Sequence, residues 1–234
     1  MATIFKSSIG KKLFQSITGA FLIVFLLLHS TINFFSVLDS IFGTYGKVAA
    51  DADLFSKGDG IFKLGCDFMS TPFISIIVPV LALGFALHIC YGIWLSIGNF
   101  IARGGVRRYA VPSKAKTDSW SAKNMFVLGL LILLGIAIHL THFWAKMQLP
   151  ELIHINEANY EDNPYVLLNA TFGPWWNLVL YLAFFTVLWF HLNHGFWSMF
   201  QTVGWNNMIW LKRLKVIGIV VSTLICLMFV SVAI

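Results

Sequence analysis

Five stretches of this chain are apolar for long enough to cross a lipid bilayer, and none of them contains an Asp or a Glu. They cover roughly residues 13–38, 72–102, 124–148, 174–203 and 216–234, and about 20 helical residues suffice for a hydrocarbon core of about 30 Å. In hydrocarbon a helix satisfies its own backbone amides, so each run is expected to be a helix. The predicted fold class is an all-α integral membrane protein with five transmembrane helices, a single membrane domain over residues 1–234. Composition agrees: 58% of the 234 residues are hydrophobic and 11% charged, against about 25% charged in soluble domains.

The first run follows Lys6, Lys11 and Lys12, as in a signal peptide. It continues to Leu38 without a small-residue cleavage site, so a retained helix is expected. Asp39 ends the run and opens a polar, glycine-rich segment to residue 71, in which KVAADADLF has the character of a short helix. Pro72 suits a first helical turn. Pro79 lies inside the second run, where a membrane helix tolerates it if neighbours satisfy the freed carbonyl.

The charges sort by loop. The N-terminal segment, the loop between the second and third runs (ARGGVRRYAVPSKAKTDSWSAK) and the loop between the fourth and fifth carry 12 of the 16 Lys and Arg but one acid, Asp118. The other two loops carry the remaining four basic residues and nine acids. The positive-inside rule then puts the N-terminus in the cytoplasm and the C-terminus outside. Topology accounts for the net charge of +6 better than a nucleic-acid surface does, since the basic residues sit in separate loops rather than on one patch. Trp120, Trp144, Trp175, Trp176, Trp205 and Trp210 lie near the ends of runs, where an aromatic belt is expected.

Four histidines lie inside four different runs: His29, His88, His139 and His191. An intramembrane imidazole is costly and marks a functional site. With about 1.5 Å of rise per residue, His29 lies roughly 15 Å in from Asp39, and His139 roughly 10–14 Å in from Lys146 and Gln148. His88 lies roughly 24 Å from Pro72 and His191 roughly 26 Å from Pro174, all on the same side. The depths form two matched sets, His29 with His139 and His88 with His191. Each set offers two imidazoles to one metal from separate helices, as a haem iron requires. There is no C-x-x-C-H, and Cys66, Cys90 and Cys226 are far apart. Two non-covalently held haems b are therefore expected.

Two of these histidines belong to doublets, His139 with His142 and His191 with His194. Depth favours the first member of each, and the second is expected on nearly the same face. There it would bond a haem propionate, line a quinone pocket or meet a polar neighbour. Gly84 and Gly135 lie four residues before His88 and His139, and Gly195 four after His191. Gly19 and Gly129 lie ten before His29 and His139. Such glycines either make room for a flat macrocycle or let helices pack closely. His154 falls in an acidic loop and is expected at a solvated surface.

The stretches FQSITGAFLIVFLLLH, GIAIHL and HLNHGFWSMFQTVGW, with a histidine late in the second run, resemble the cytochrome b membrane subunit of succinate:quinone oxidoreductases. The likeness is to the single-chain, five-helix, two-haem kind found in bacterial succinate dehydrogenases and fumarate reductases, and it covers essentially the whole chain. It implies that the first four helices form a haem-binding bundle, with His29, His139, His88 and His191 as iron ligands. It also implies that Gln15 and Ser16 lie near the propionates of the cytoplasmic-side haem. The implied partners are a flavoprotein and an iron–sulfur subunit on the cytoplasmic face of a bacterial inner membrane, with membrane lipid around the helices. The implied substrate is quinone, of the menaquinone type; a higher oligomer of the complex stays open. Some fumarate-reducing relatives carry a glutamate two residues before the fourth-helix ligand. Here that position is Trp189, which favours succinate oxidation. The rival expectations are a di-haem b subunit of a hydrogenase or formate dehydrogenase, and a haem-free membrane transporter. The second is weakened by the lack of an internal repeat and of intramembrane acids.

Overall fold

The computed structural model describes residues 7–49, 57–102, 104–105, 120–152, 163–205 and 207–234. These include neither His154 nor most of the basic segment between the second and third runs. Most of KVAADADLF likewise lies outside the described residues. The described secondary structure is helical, without a strand. In chain order the helices are α1 (Ser8–Phe42), α2 (Ile61–Met69), α3 (Pro72–Ala102) and α4 (Trp120–His139), which continues as a π-helical turn (Leu140–Trp144). Then follow α5 (Gln148–Leu152), α6 (Pro164–Phe172), α7 (Trp175–Thr202) and α8 (Met208–Ala233).

Five of them, α1, α3, α4 with its π turn, α7 and α8, are long and apolar enough to cross a membrane. Large apolar side chains point outward along them, among them Val24, Leu83, Leu134, Val179 and Leu227. Helices apolar on all sides are what a lipid solvent demands. The helices and the apolar runs do not share ends. Helix α1 includes Lys11 and Lys12, and α8 begins early enough to include Lys212, Arg213 and Lys215, which the sequence reading left in a loop. An apolar run measures the hydrocarbon, whereas backbone hydrogen bonding continues into the interface. Basic side chains there lay their stems along apolar surface and keep their charge in water. Lys11 sits 4.0 Å above the ring of Trp94 and Lys215 4.7 Å above that of Trp197, both cation–π contacts.

The chain divides into two compact units, and each long helix contributes a stretch to both. The first unit takes residues 1–25, 80–131 and 187–223. Leu22, Leu128, Leu188, Leu192, Trp197 and Leu214 are buried in it. Trp189 Nε1 donates to Thr223 Oγ1 at 2.9 Å and ties α7 to α8.

The second unit takes residues 26–79, 132–186 and 224–234. One cluster joins Tyr181, Phe185 and Ala233, and another joins Phe62, Tyr165 and Leu168. Asp39 was expected to end the first helix at the surface. Instead α1 runs on to Phe42, and Asp39 is fully buried. Its carboxylate accepts from Thr44 Oγ1 at 2.5 Å, Ile61 N at 2.8 Å, Phe62 N at 2.7 Å and the Tyr165 hydroxyl at 2.7 Å. The two amides belong to the first turn of α2, where unpaired N–H groups and the helix dipole favour an anion. Four donors offset the cost of burying the charge. Gly60 lets α2 approach, since a Cβ there would overlap the Tyr165 hydroxyl and lie 2.9 Å from the Thr44 carbonyl oxygen. Gly43, at φ +69°, turns the chain out of α1. The Thr44 and Tyr45 amides then close back on the Asp39 carbonyl at 2.8 and 3.0 Å.

Cys66, on α2, packs against the Phe62–Tyr165 cluster. Burial, and the neighbouring Asp67 after it, push its thiol up to about 12. Only the thiolate reacts, so its alkylation at pH 8 should run about a thousandfold slower than that of an unperturbed cysteine. The rate should climb about tenfold per pH unit towards 12 while the fold persists. Mass-spectrometric time courses with iodoacetamide check this. Rapid native labelling of Cys66 at pH 8 would contradict the packing.

Candidate metal centres

In the first unit α3 and α7 present His88 and His191, whose ring centroids are 6.3 Å apart with planes at 72°. Two contacts from α1 fix His88. Thr18 Oγ1 lies 3.2 Å from Nδ1, and Gln15 Nε2 lies 3.3 Å from Nε2. Gly19, on the same helix, leaves the ring its space, since a Cβ there would stand 3.3 Å from His88 Cε1. Buried polar atoms without a hydrogen-bond partner occur in this unit: His191 Nδ1, His194 Nδ1, Gln15 Oε1 and Ser222 Oγ. A buried polar atom left unpaired costs about 1–3 kcal/mol.

In the second unit α1 and α4 present His29 and His139, with centroids 5.8 Å apart and planes at 84°. Phe229 of α8 covers His29 at 5.7 Å, and Phe143 lies 5.2 Å from His139. Asn33 donates to the His29 carbonyl at 2.8 Å, which also brings its amide to 3.5 Å from Nδ1.

The doublets behave differently. His139 is the last residue of α4, and the π turn begins immediately after it. A π turn holds an extra residue, so residues three apart diverge around the axis more than in an α-helix. His142 was expected on nearly the same face as His139. It instead meets Tyr181 of α7, with its Nδ1 3.2 Å from the phenolic oxygen. His194 stays within regular α7 and lies against Trp197, centroids 4.9 Å apart.

Of the residues the resemblance assigns to propionates, Gln15 reaches the His88 ring. Ser16 donates to the carbonyl of Lys12 at 3.0 Å, within its own helix. Of the glycines near the histidines, Gly84 and Gly135 serve close packing. A Cβ at Gly84 would come within 2.7 Å of the Phe21 ring, and one at Gly135 would overlap the ring of Phe184. Gly129 and Gly195 face open space.

The donor sets can be tested against what they could hold. Among the described residues no three His, Cys, Asp or Glu gather as a metal site. Tetrahedral zinc draws three or four protein ligands, whereas iron in a porphyrin draws one or two. Edge-to-face ring pairs lie about 4.5–7 Å apart between centroids. Both pairs have that spacing, and each comes from two spanning helices. Two imidazoles with no third protein donor among the described residues would suit a group that brings its own remaining ligands.

No family model, curated protein or solved structure matches the chain. The functional reading therefore rests on the two imidazole pairs and on the motifs themselves. Three contributors escaped sequence reasoning. Thr18 was legible as a hydroxyl three residues after Gln15, on the same helical face. Tyr181 was a lone phenol within an apolar run. The Asp39–Tyr165 bond joins residues 126 apart in sequence and left no local signal.

Proposed function

We propose that this chain is the di-haem b membrane anchor of a bacterial succinate:quinone oxidoreductase. In that role it carries electrons between an iron–sulfur subunit at the cytoplasmic face and menaquinone in the membrane. The observation that carries the reading is the presence of two imidazole pairs, each from two spanning helices, with ring centroids 5.8 and 6.3 Å apart. The resemblance of residues 14–29 and 191–205 to the family adds the succinate chemistry, which histidines alone do not imply. His29 and His139 would hold one haem, and His88 and His191 the other. When bound, haem b supplies reversible one-electron transfer at a potential tuned by its ligands, their hydrogen bonds and burial.

The chain's own residues orient the ligands and exclude water. Phe229 and Phe143 shield the His29–His139 pair. Leu188 and Leu192 are buried on either side of His191 in sequence. If the Nε2 of His88 is engaged by iron, the Gln15 amide loses its acceptor and is left to donate to an anion, the role the resemblance assigns to it. His142 and Tyr181 place two proton-exchanging groups three residues or one helix away from His139, suited to serve a quinone oxygen. Lys11, Lys12, Lys212, Arg213 and Lys215 occupy helix ends that the positive-inside rule assigns to the cytoplasm, and they form part of the docking face. The dicarboxylate site belongs to the flavoprotein partner. Trp189, bonded to Thr223, leaves α7 without a carboxylate beside His191, which favours succinate oxidation.

Purification in mild detergent tests this. Two haems b per chain in a reduced-minus-oxidised spectrum, with a flavoprotein and an iron–sulfur protein co-purifying, is the expected result. Hydrogenase or formate dehydrogenase partners would replace the reading with its rival, and a chain without haem absorbance would end it.

A further inference from the structure

The environment of His88 determines which ring nitrogen carries the proton. Thr18 has one hydroxyl hydrogen, and it lies 2.9 Å from the Phe14 carbonyl and 3.1 Å from that of Gln15. Carbonyl oxygens only accept, so the hydroxyl donates to one of them. Its oxygen then faces His88 Nδ1 at 3.2 Å with lone pairs, and the ring must supply the hydrogen. At the other edge, the Gln15 amide nitrogen lies 3.3 Å from His88 Nε2. An amide nitrogen only donates, so with the Gln15 side chain turned this way Nε2 accepts. One tautomer satisfies both contacts, with hydrogen on Nδ1 and a lone pair on Nε2; Gln15 can meet the other tautomer by turning its buried, unpartnered Oε1 to the ring, whereas Thr18, its hydrogen given to the preceding turn, cannot.

We infer that Thr18 is a positioning residue that holds His88 as the Nδ1–H tautomer, so that Nε2 is the nitrogen offered to a metal. Thr18 is buried, which removes water as a competing acceptor for the ring N–H. Its own bond to the preceding turn fixes the oxygen's direction. Gly19, the next residue, leaves room for the ring to sit against α1. The arrangement matches the general behaviour of metal-ligating histidines, whose second ring N–H is held by an acceptor that sets the ring's orientation and raises its basicity. A more basic imidazole favours ferric over ferrous iron. The consequence for iron rests on the proposed function, whereas the tautomer does not.

The test uses the full-length chain with 15N-labelled histidine rings in liposomes, read by solid-state NMR with and without haem. Thr18→Val keeps the shape and removes the oxygen, and Thr18→Ser keeps the oxygen. The His88 signals are assigned by their loss in His88→Gln. In haem-free wild type and Thr18→Ser, His88 is expected as the Nδ1–H tautomer. In Thr18→Val the Nε2–H form should become substantially populated. In the haem-loaded protein, Thr18→Val should raise the midpoint potential of one haem and leave the other unchanged, while Thr18→Ser leaves both in place. The expected change in ferric-over-ferrous preference is up to about tenfold, which is about 59 mV for one electron. An unchanged His88 tautomer in Thr18→Val overturns the inference. An intact tautomer response in a chain that never binds haem supports it and overturns the proposed function instead.

Discussion

Replacing His191 by alanine is expected to halve the haem content of the purified chain, removing one haem and leaving the other. The substitution deletes one of the two imidazoles that would hold that haem and leaves an apolar gap beside the other. The His29–His139 pair belongs to a different compact unit and shares no ligand with the first. His194, three residues on, is not expected to substitute, because its ring packs edge-to-face with Trp197. The complementary variant His139→Ala should remove the other haem, and the two spectra should add to that of the parent chain. Haemochrome quantitation per mole of protein reads both. Full haem content in His191→Ala would disprove the assignment of that ligand. Loss of both haems in either variant would show that the two sites assemble only together.

The second large effect is on stability. Asp39→Ala should destabilise the chain by on the order of 3–5 kcal/mol, since two amides and two hydroxyls lose their buried acceptor. Asp39→Asn should fall between this and the parent. It keeps an oxygen for Thr44 and Ile61 but turns an NH2 towards the Phe62 amide and the Tyr165 hydroxyl. Tyr165→Phe removes one donor and should cost only about 1 kcal/mol. Burial, with the bond donated to Asp39, holds the Tyr165 hydroxyl well above the usual tyrosine range. Its bond to Asp39 should therefore persist through mildly alkaline pH. Thermal unfolding followed by the exposure of the Cys66 thiol reads all three variants, because Cys66 packs against Tyr165's cluster. Equal midpoints for Asp39→Ala and the parent would remove the carboxylate from the supports of the fold.

Much of the architecture was legible before any coordinates. The five spans are local properties of the chain, because bilayer thickness converts directly into a length of apolar residues. The juxtaposition of His29 with His139, and of His88 with His191, was legible as matched depth, because helical rise is constant and spanning helices share one axis of measurement. The ends of the helices were not legible in this way. Lys212, Arg213 and Lys215 look like a loop by hydropathy and belong to α8 in the fold.

What the sequence determined alone is the number of spans and which histidines share a depth, since both depend on distance along a helix. Only the tertiary structure decided what surrounds them. A π turn after His139 sends His142 to Tyr181 rather than to its neighbour's face. Asp39, read as the polar end of a span, is the buried acceptor that joins α1 to α2 and α6. Thr18 and Gln15 of α1 both reach the ring of His88. Each of these depends on rotation about a helix axis and on partners far away in sequence, and hydropathy along the chain does not encode either.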